Sequence, residues 1–142
     1  MNAVKYSIYK KVTLMQNLTT IKNKVTKKAL VVEDDGEMGL LLNLLLDEDE
    51  LELNYVKDIL SAREYLQNEQ PSVIILDNKL PDGFGIDFIS YIKKKYPLIK
   101  IIMISGFSSA RDVALENGAD VFLEKPFSKK EFYHSIHELL AV

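Results

Sequence analysis

The stretch Val73–Gly85, VIILDNKLPDGFG, carries four apolar residues, then a single aspartate, then a loop rich in proline and glycine. Four consecutive apolar residues, three of them β-branched, describe a strand buried on both faces, which is the pattern of a central strand in a parallel sheet. Pro81, Gly83 and Gly85 end it at once. Asp77 is therefore the first residue to leave the core at a strand's carboxyl end. In open α/β sheets that end is where ligands are met.

Outward from this stretch the same pattern recurs. ALVV (29–32), LNYV (53–56), KIIMIS (100–105) and DVFL (120–123) read as further strands. Between them 36–49, 59–67, 86–96, 109–117 and 129–140 are each long enough for a helix. Asp35, Ser109 and Ser128 are placed as N-caps, Asn117-Gly118 as a C-cap, and Pro97 as the stop of the 86–96 helix. Five strand–helix units predict a parallel sheet wound on both sides with right-handed crossovers. Glu33-Asp34, Asp77, Ser105 and Glu124-Lys125 then all fall at one sheet edge.

Composition bounds the rest. A chain of 142 residues, 47% hydrophobic and 27% charged, supports one core. It has no cysteine, which removes disulfides and thiolate metal sites and suits a reducing compartment. No apolar run is long enough for a membrane span and no signal peptide is visible, so a cytoplasmic location is expected. Residues 1–28 hold seven lysines and no acid, leaving 11 basic against 21 acidic residues, a balance of −10, in 29–142. That shift sets a boundary between a basic extension, 1–28, and a compact domain, 29–142. Within the extension Leu14, Leu18, Ile21 and Val25 form one helical stripe. A short amphipathic helix and a frayed extension are both consistent with it; its lysines suit the acidic domain, an anionic membrane or nucleic acid.

Four segments, LVVEDD (30–35), ILDNKLPDGFG (75–85), IIMISG (101–106) and GADVFLEKPF (118–127), resemble in order and spacing the signature segments of the receiver domain of two-component response regulators, across residues 29–142. The resemblance implies a flavodoxin-like (βα)5 fold with strand order 2-1-3-4-5. It implies Asp77 as phosphoacceptor. A carboxylate is ionised near neutral pH, so it can attack a phosphohistidine without a general base. It also implies a Mg²⁺ site with Asp34, Asp77 and the Lys79 carbonyl as direct ligands and Glu33 acting through water. Three carboxylates in one pocket need such a cation, because two charges about 4 Å apart repel by roughly 4 kcal/mol at an effective dielectric near 20. Lys125 and Ser105 would bind the phosphoryl oxygens, and Phe122 would move inward behind Ser105 as the switch. Lys125-Pro126 matches the family's usual cis peptide, and Lys79 and Phe107 occupy positions that tune hydrolysis of the acyl phosphate.

So read, the chain is not an enzyme in the usual sense but a phosphoacceptor signalling domain that assists its own phosphorylation and dephosphorylation. A sensor histidine kinase or histidine phosphotransfer protein is its expected donor. No DNA-binding segment follows, so a single-domain regulator acting through protein contacts is expected, with the output target unspecified. Exposed Leu40 and Leu44, opposite Met38, Leu41, Leu42 and Leu45 on the first core helix, suit docking or packing under the extension. Phe84 stands where an aspartate is common, Ser105 replaces the more frequent threonine, and the path from Ser105 to Lys125 is slightly short. A haloacid-dehalogenase-type phosphatase would want a second aspartate where this chain has Lys79. The remaining alternative is a receiver-like module that is never phosphorylated. His134 and His137 are expected at the surface, away from the acidic edge.

Overall fold

The computed structural model describes residues 3–22, 27–46 and 51–140. After helix α1 (Ala3–Lys22) come β1 (Lys27–Val32), α2 (Gly36–Leu46), β2 (Leu51–Val56), α3 (Ile59–Asn68) and β3 (Val73–Asp77). A two-stranded antiparallel hairpin follows, β4 (Lys79–Leu80) and β5 (Gly83–Phe84), and then α4 (Gly85–Lys95), β6 (Lys100–Ser105), α5 (Arg111–Asn117), β7 (Val121–Glu124) and α6 (Lys129–Leu140). The large sheet has the order β2-β1-β3-β6-β7 and every pairing in it is parallel. With the hairpin set aside, this is the expected 2-1-3-4-5.

The continuous apolar runs sort themselves by period two. Leu30, Val32, Ile74, Leu76, Ile101 and Met103 face one side, with Phe88, Ile89 and Ile92 of α4 and Ala62 and Leu66 of α3. Ala29, Val31, Val73, Ile75, Ile102 and Ile104 face the other, with Leu42 of α2 and Phe132, Ile136 and Leu140 of α6. Each of these larger side chains, alanines aside, contributes about 1.5–3 kcal/mol when removed from water. Burial on both faces is what a doubly wound sheet requires, and it fixes β3 at the centre between β1 and β6.

Local signals explain most boundaries. Asp58 caps α3, its side chain accepting from Ser61 N–H at 2.8 Å. The Ser128 hydroxyl accepts from Glu131 N–H at 3.1 Å as α6 begins. Gly118 ends α5 with φ +116°, a left-handed conformation that glycine adopts without strain. Ser109 does not cap α5. It lies inside a 3-10 turn, Ser108–Ala110, and Ala110 precedes the helix without a side-chain cap. The α-helix itself is therefore seven residues long, shorter than the 109–117 expected.

Two further expectations change. β1 begins at Lys27, not Ala29, and Lys28 is tied to Glu69 by an ion pair of 2.7 Å, so Lys27 and Lys28 belong to the sheet rather than to the extension. The extension is a helix of 20 residues, longer than the short stripe read from sequence, and Val4, Ile8, Val12 and Leu14 on it are exposed. Val25, the 47–49 end of the first core helix, and the side chains of Leu18, Ile21, Leu41, Leu44 and Leu45 lie outside what is described. Of the leucines placed on α2, Leu42 is buried and Leu40 is 65% exposed.

Candidate functional site

The carboxyl ends of β1, β3, β6 and β7 bring Glu33, Asp77, Ser105 and Lys125 to one edge of the sheet. Asp77 is buried at the end of the central strand, and Lys125 reaches its Oδ2 with Nζ at 3.1 Å. Lys125 is placed by the neighbouring strand: its N–H donates to the Ser105 carbonyl at 2.8 Å, and the peptide to Pro126 is cis. Ser105 is buried, and its hydroxyl oxygen accepts from Phe107 N–H at 3.1 Å. Phe107 itself is 67% exposed. A carboxylate, an ammonium and a hydroxyl thus converge on three adjacent strand ends.

The acidic pair after β1 divides. Asp34 is exposed. Glu33 is buried and turns to α2, where its Oε1 accepts from Gly39 N–H at 3.0 Å. Its Oε2 is buried without a hydrogen-bond partner. Burial pushes the Glu33 carboxyl up, the charges of Asp35 and Asp77 add to this, and the Gly39 and Asp35 N–H groups oppose it. A Cβ on Gly39 would stand 3.1 Å from the Tyr55 ring, so glycine there lets Tyr55 close over α2 and donate to Asn43 Oδ1 at 2.6 Å.

The loop after Asp77 is held at both ends. Asn78 N–H donates to the Ile104 carbonyl at 3.1 Å, while its own carbonyl and Oδ1 accept from Gly85 and Ile86 N–H at 2.7 and 3.0 Å. Farther on, Asp82 accepts from Ile59 and Leu60 N–H, bonds that hold its carboxyl below the usual carboxylate range. Glu33, Asp82 and Asn78 each serve the first turns of a different helix: α2, α3 and α4. Sequence reading found none of these contacts. Only an aspartate directly before Ile59 was there to signal the Asp58 cap.

Among the described residues no three acidic or histidine side chains already form a metal cage. The donors that the edge offers are all oxygens, one of them the partnerless buried Glu33 Oε2, and a hard divalent cation such as Mg²⁺ fits that chemistry. Phe122 is buried in the same core cluster as Phe88 and Met103, with the Arg111 guanidinium carbon 5.9 Å from its ring centre. His134 is exposed beside Glu138. His137 departs from the surface placement expected, being half-buried against Tyr133 with ring centres 4.2 Å apart. No described helix is long and apolar enough to cross a membrane.

Comparison with known proteins agrees with this fold. The family model of the response regulator receiver domain matches residues 29–137. The response regulator protein PilR of Pseudomonas aeruginosa is 34% identical over 102 residues, covering 70% of this chain and 23% of PilR. The phosphate regulon transcriptional regulatory protein PhoB of Escherichia coli is 32% identical over 120 residues, covering 82% of this chain and 52% of PhoB. The chain thus spans about half, or less, of the length of these relatives. Among solved structures, the beryllofluoride-activated receiver domain of NtrC4 superposes with a TM-score of 0.75 at 32% identity, over 80% of this chain and 96% of that one. A CheY-like receiver domain from Methanospirillum hungatei gives a TM-score of 0.75 at 26% identity, over 81% and 94%. With a parallel (βα)5 sheet, an aspartate at the end of its central strand and a family match across nearly all of the folded region, the chain belongs to the response regulator receiver domains.

Proposed function

We propose that this receiver takes a phosphoryl group on Asp77 from the phosphohistidine of a sensor kinase or phosphotransfer protein, in a reaction that needs Mg²⁺. The observation that carries the reading is the buried Asp77 carboxylate with Lys125 Nζ 3.1 Å from it and Ser105 on the adjoining strand end. A carboxylate oxygen of Asp77 attacks phosphorus, the nitrogen–phosphorus bond of the donor breaks, and its electron pair returns to the imidazole. Lys125 holds one phosphoryl oxygen as a point charge, and the Ser105 hydroxyl donates to another. Asp34, Asp77 and the Lys79 carbonyl would hold the cation, with Glu33 acting through water. Bound there, Mg²⁺ offsets the repulsion between carboxylates and incoming phosphoryl oxygens.

The acyl phosphate adds about one negative charge at the edge. Ser105 follows that charge, and Phe122 occupies the space behind it as the switch. Relatives support the chemistry to the extent that the NtrC4 receiver was solved in a beryllofluoride-activated form. Exposed Leu40 on α2 offers an apolar contact for the donor or for a downstream protein.

Incubation with acetyl phosphate and Mg²⁺, followed by intact-mass measurement, tests the reading. One phosphoryl group is expected on the wild type, none on Asp77→Asn, and none on either when Mg²⁺ is chelated. Undiminished labelling of Asp77→Asn refutes the assignment. A wild type that never labels leaves a receiver-like interaction module in its place.

A further inference from the structure

The hairpin that follows the phosphoacceptor cannot hold itself in place. Its strands are two residues each, Lys79–Leu80 against Gly83–Phe84, far below what is stable alone. One side is secured by Asn78, whose carbonyl and side chain accept the first N–H groups of α4. The other side is secured by Asp82. Its Oδ1 accepts from Ile59 N–H at 2.9 Å and its Oδ2 from Leu60 N–H at 3.0 Å.

This contact is not a local accident of the chain. Ile59 and Leu60 precede Asp82 by more than twenty residues, and α3 already has a cap of its own in Asp58, which serves Ser61. The first turn of a helix leaves several N–H groups without intrahelical partners, and Asp82 takes two that Asp58 does not reach. A carboxylate accepting two amides at a helix N-terminus is both charge-assisted and favourably placed in the helix dipole. Gly83 completes the fit. Its φ is +155°, and a Cβ there would lie 3.1 Å from Ile59 Cδ1, so the hairpin lies flat against the first turn of α3.

We propose that Asp82 is a positioning residue: by pinning the hairpin to α3 it sets the Lys79 backbone carbonyl, so that affinity for the cation depends on a carboxylate that does not itself bind it. The proposal rests on the Mg²⁺ site given under the proposed function. Supporting groups of this kind, one step removed from a metal, change affinity by about 10–100-fold when lost. Asp82 is at the lower end because Asn78 still holds the other side of the hairpin.

Calorimetric titration of the full chain with Mg²⁺ alone tests it, using Asp82→Ala, Asp82→Asn and Asp82→Glu. Asparagine keeps an oxygen that can accept one of the two N–H groups but loses the charge; glutamate keeps the charge but lengthens the arm. Weakening by about tenfold is expected for Asp82→Ala, a clear weakening for Asp82→Glu, and a smaller weakening for Asp82→Asn, which keeps one of the two bonds. Phosphorylation of Asp82→Ala by acetyl phosphate should recover at saturating Mg²⁺, and amide exchange across 79–84 should quicken. Unchanged affinity in Asp82→Ala overturns the proposal. So does Asp82→Glu binding like wild type while Asp82→Asn falls as far as Asp82→Ala, since affinity would then follow charge and not the reach of the side chain; where the alanine variant does not fold, Asp82→Asn binding more weakly than Asp82→Glu overturns it alike. A wild type that binds no Mg²⁺ refutes the underlying site and the proposal with it, whereas a binding wild type with indifferent variants refutes the proposal alone.

Discussion

Replacing Gly85 by alanine tests the geometry around Asp77, the proposed phosphoacceptor, directly. Gly85 opens α4 against the end of β3, and a Cβ built on it would lie 2.2 Å from the Asp77 carbonyl oxygen, 3.0 Å from Leu76 Cγ and 3.1 Å from the Asp77 carbonyl carbon. The first contact is short of ordinary van der Waals distance by about 1 Å or more. Two of the three neighbours are backbone, and the Gly85 and Ile86 N–H groups are bonded to Asn78, so neither α4 nor the strand end can yield alone. Overpacking of this kind costs about 1–3 kcal/mol, and the usual helical gain of alanine over glycine, about 0.5–1 kcal/mol, does not offset it. A net loss of about 1–2 kcal/mol corresponds to a fall in melting temperature of about 3–12 °C for a domain of this size. Displacing the reacting carboxylate by about 1 Å slows its chemistry on the order of 100-fold. The assay pairs a thermal melt with the rate of phosphorylation by acetyl phosphate. Gly36→Ala serves as control, since nothing lies within 4 Å of a Cβ there. A Gly85→Ala protein that melts and labels like Gly36→Ala would show that the strand end is not packed as described.

Glu33→Gln keeps an acceptor for Gly39 N–H and removes a buried charge. The folded carboxyl is raised, chiefly by burial, so ionised Glu33 costs stability above its folded pKa and that cost fades as pH falls and the group protonates. Without Mg²⁺, Glu33→Gln should melt a few degrees higher at neutral pH, with the gap closing in acid; a gap independent of pH would contradict this. Lys79 and Phe107 both stand exposed near Asp77 and Ser105, and as shields of the proposed acyl phosphate they predict its slow loss. The double change Lys79→Asn, Phe107→Glu should shorten its half-life several-fold at fixed Mg²⁺, and an equal or longer half-life would count against shielding. Deleting residues 1–26, but not Lys27 and Lys28 of β1, should leave acetyl phosphate labelling of Asp77 intact, and loss of cooperative melting on deletion would make α1 part of the fold.

What the sequence disclosed was whatever depends on neighbours in the chain. The run Val73–Leu76 could be assigned to a central strand because burial on both faces leaves no polar position in it, and Asn117-Gly118 could be assigned to a helix end because few residues accept a positive φ. Asp77 and Lys125 could be set at one edge because parallel strands all point their carboxyl ends the same way. Ser109 misled because serine favours both an N-cap and the tight 3-10 turn it occupies, and sequence alone does not choose between them. Glu33 turning to Gly39, and Asp82 reaching α3, were invisible for another reason. Each joins a side chain to a backbone donor on a different element, and backbone N–H groups carry no sequence signature.

The ammonium of Lys27, the first residue of β1, donates to the carbonyl of Leu140, the last residue of α6, at 2.5 Å. Entry to and exit from the domain are therefore side by side, at the end of the sheet opposite Asp77. A unit whose two ends meet can be spliced into a longer polypeptide, or closed into a ring and reopened elsewhere, with little rearrangement of its interior. A segment grafted at that seam leaves from the end of the sheet opposite the acidic edge, the edge at which the proposed phosphoryl donor would dock.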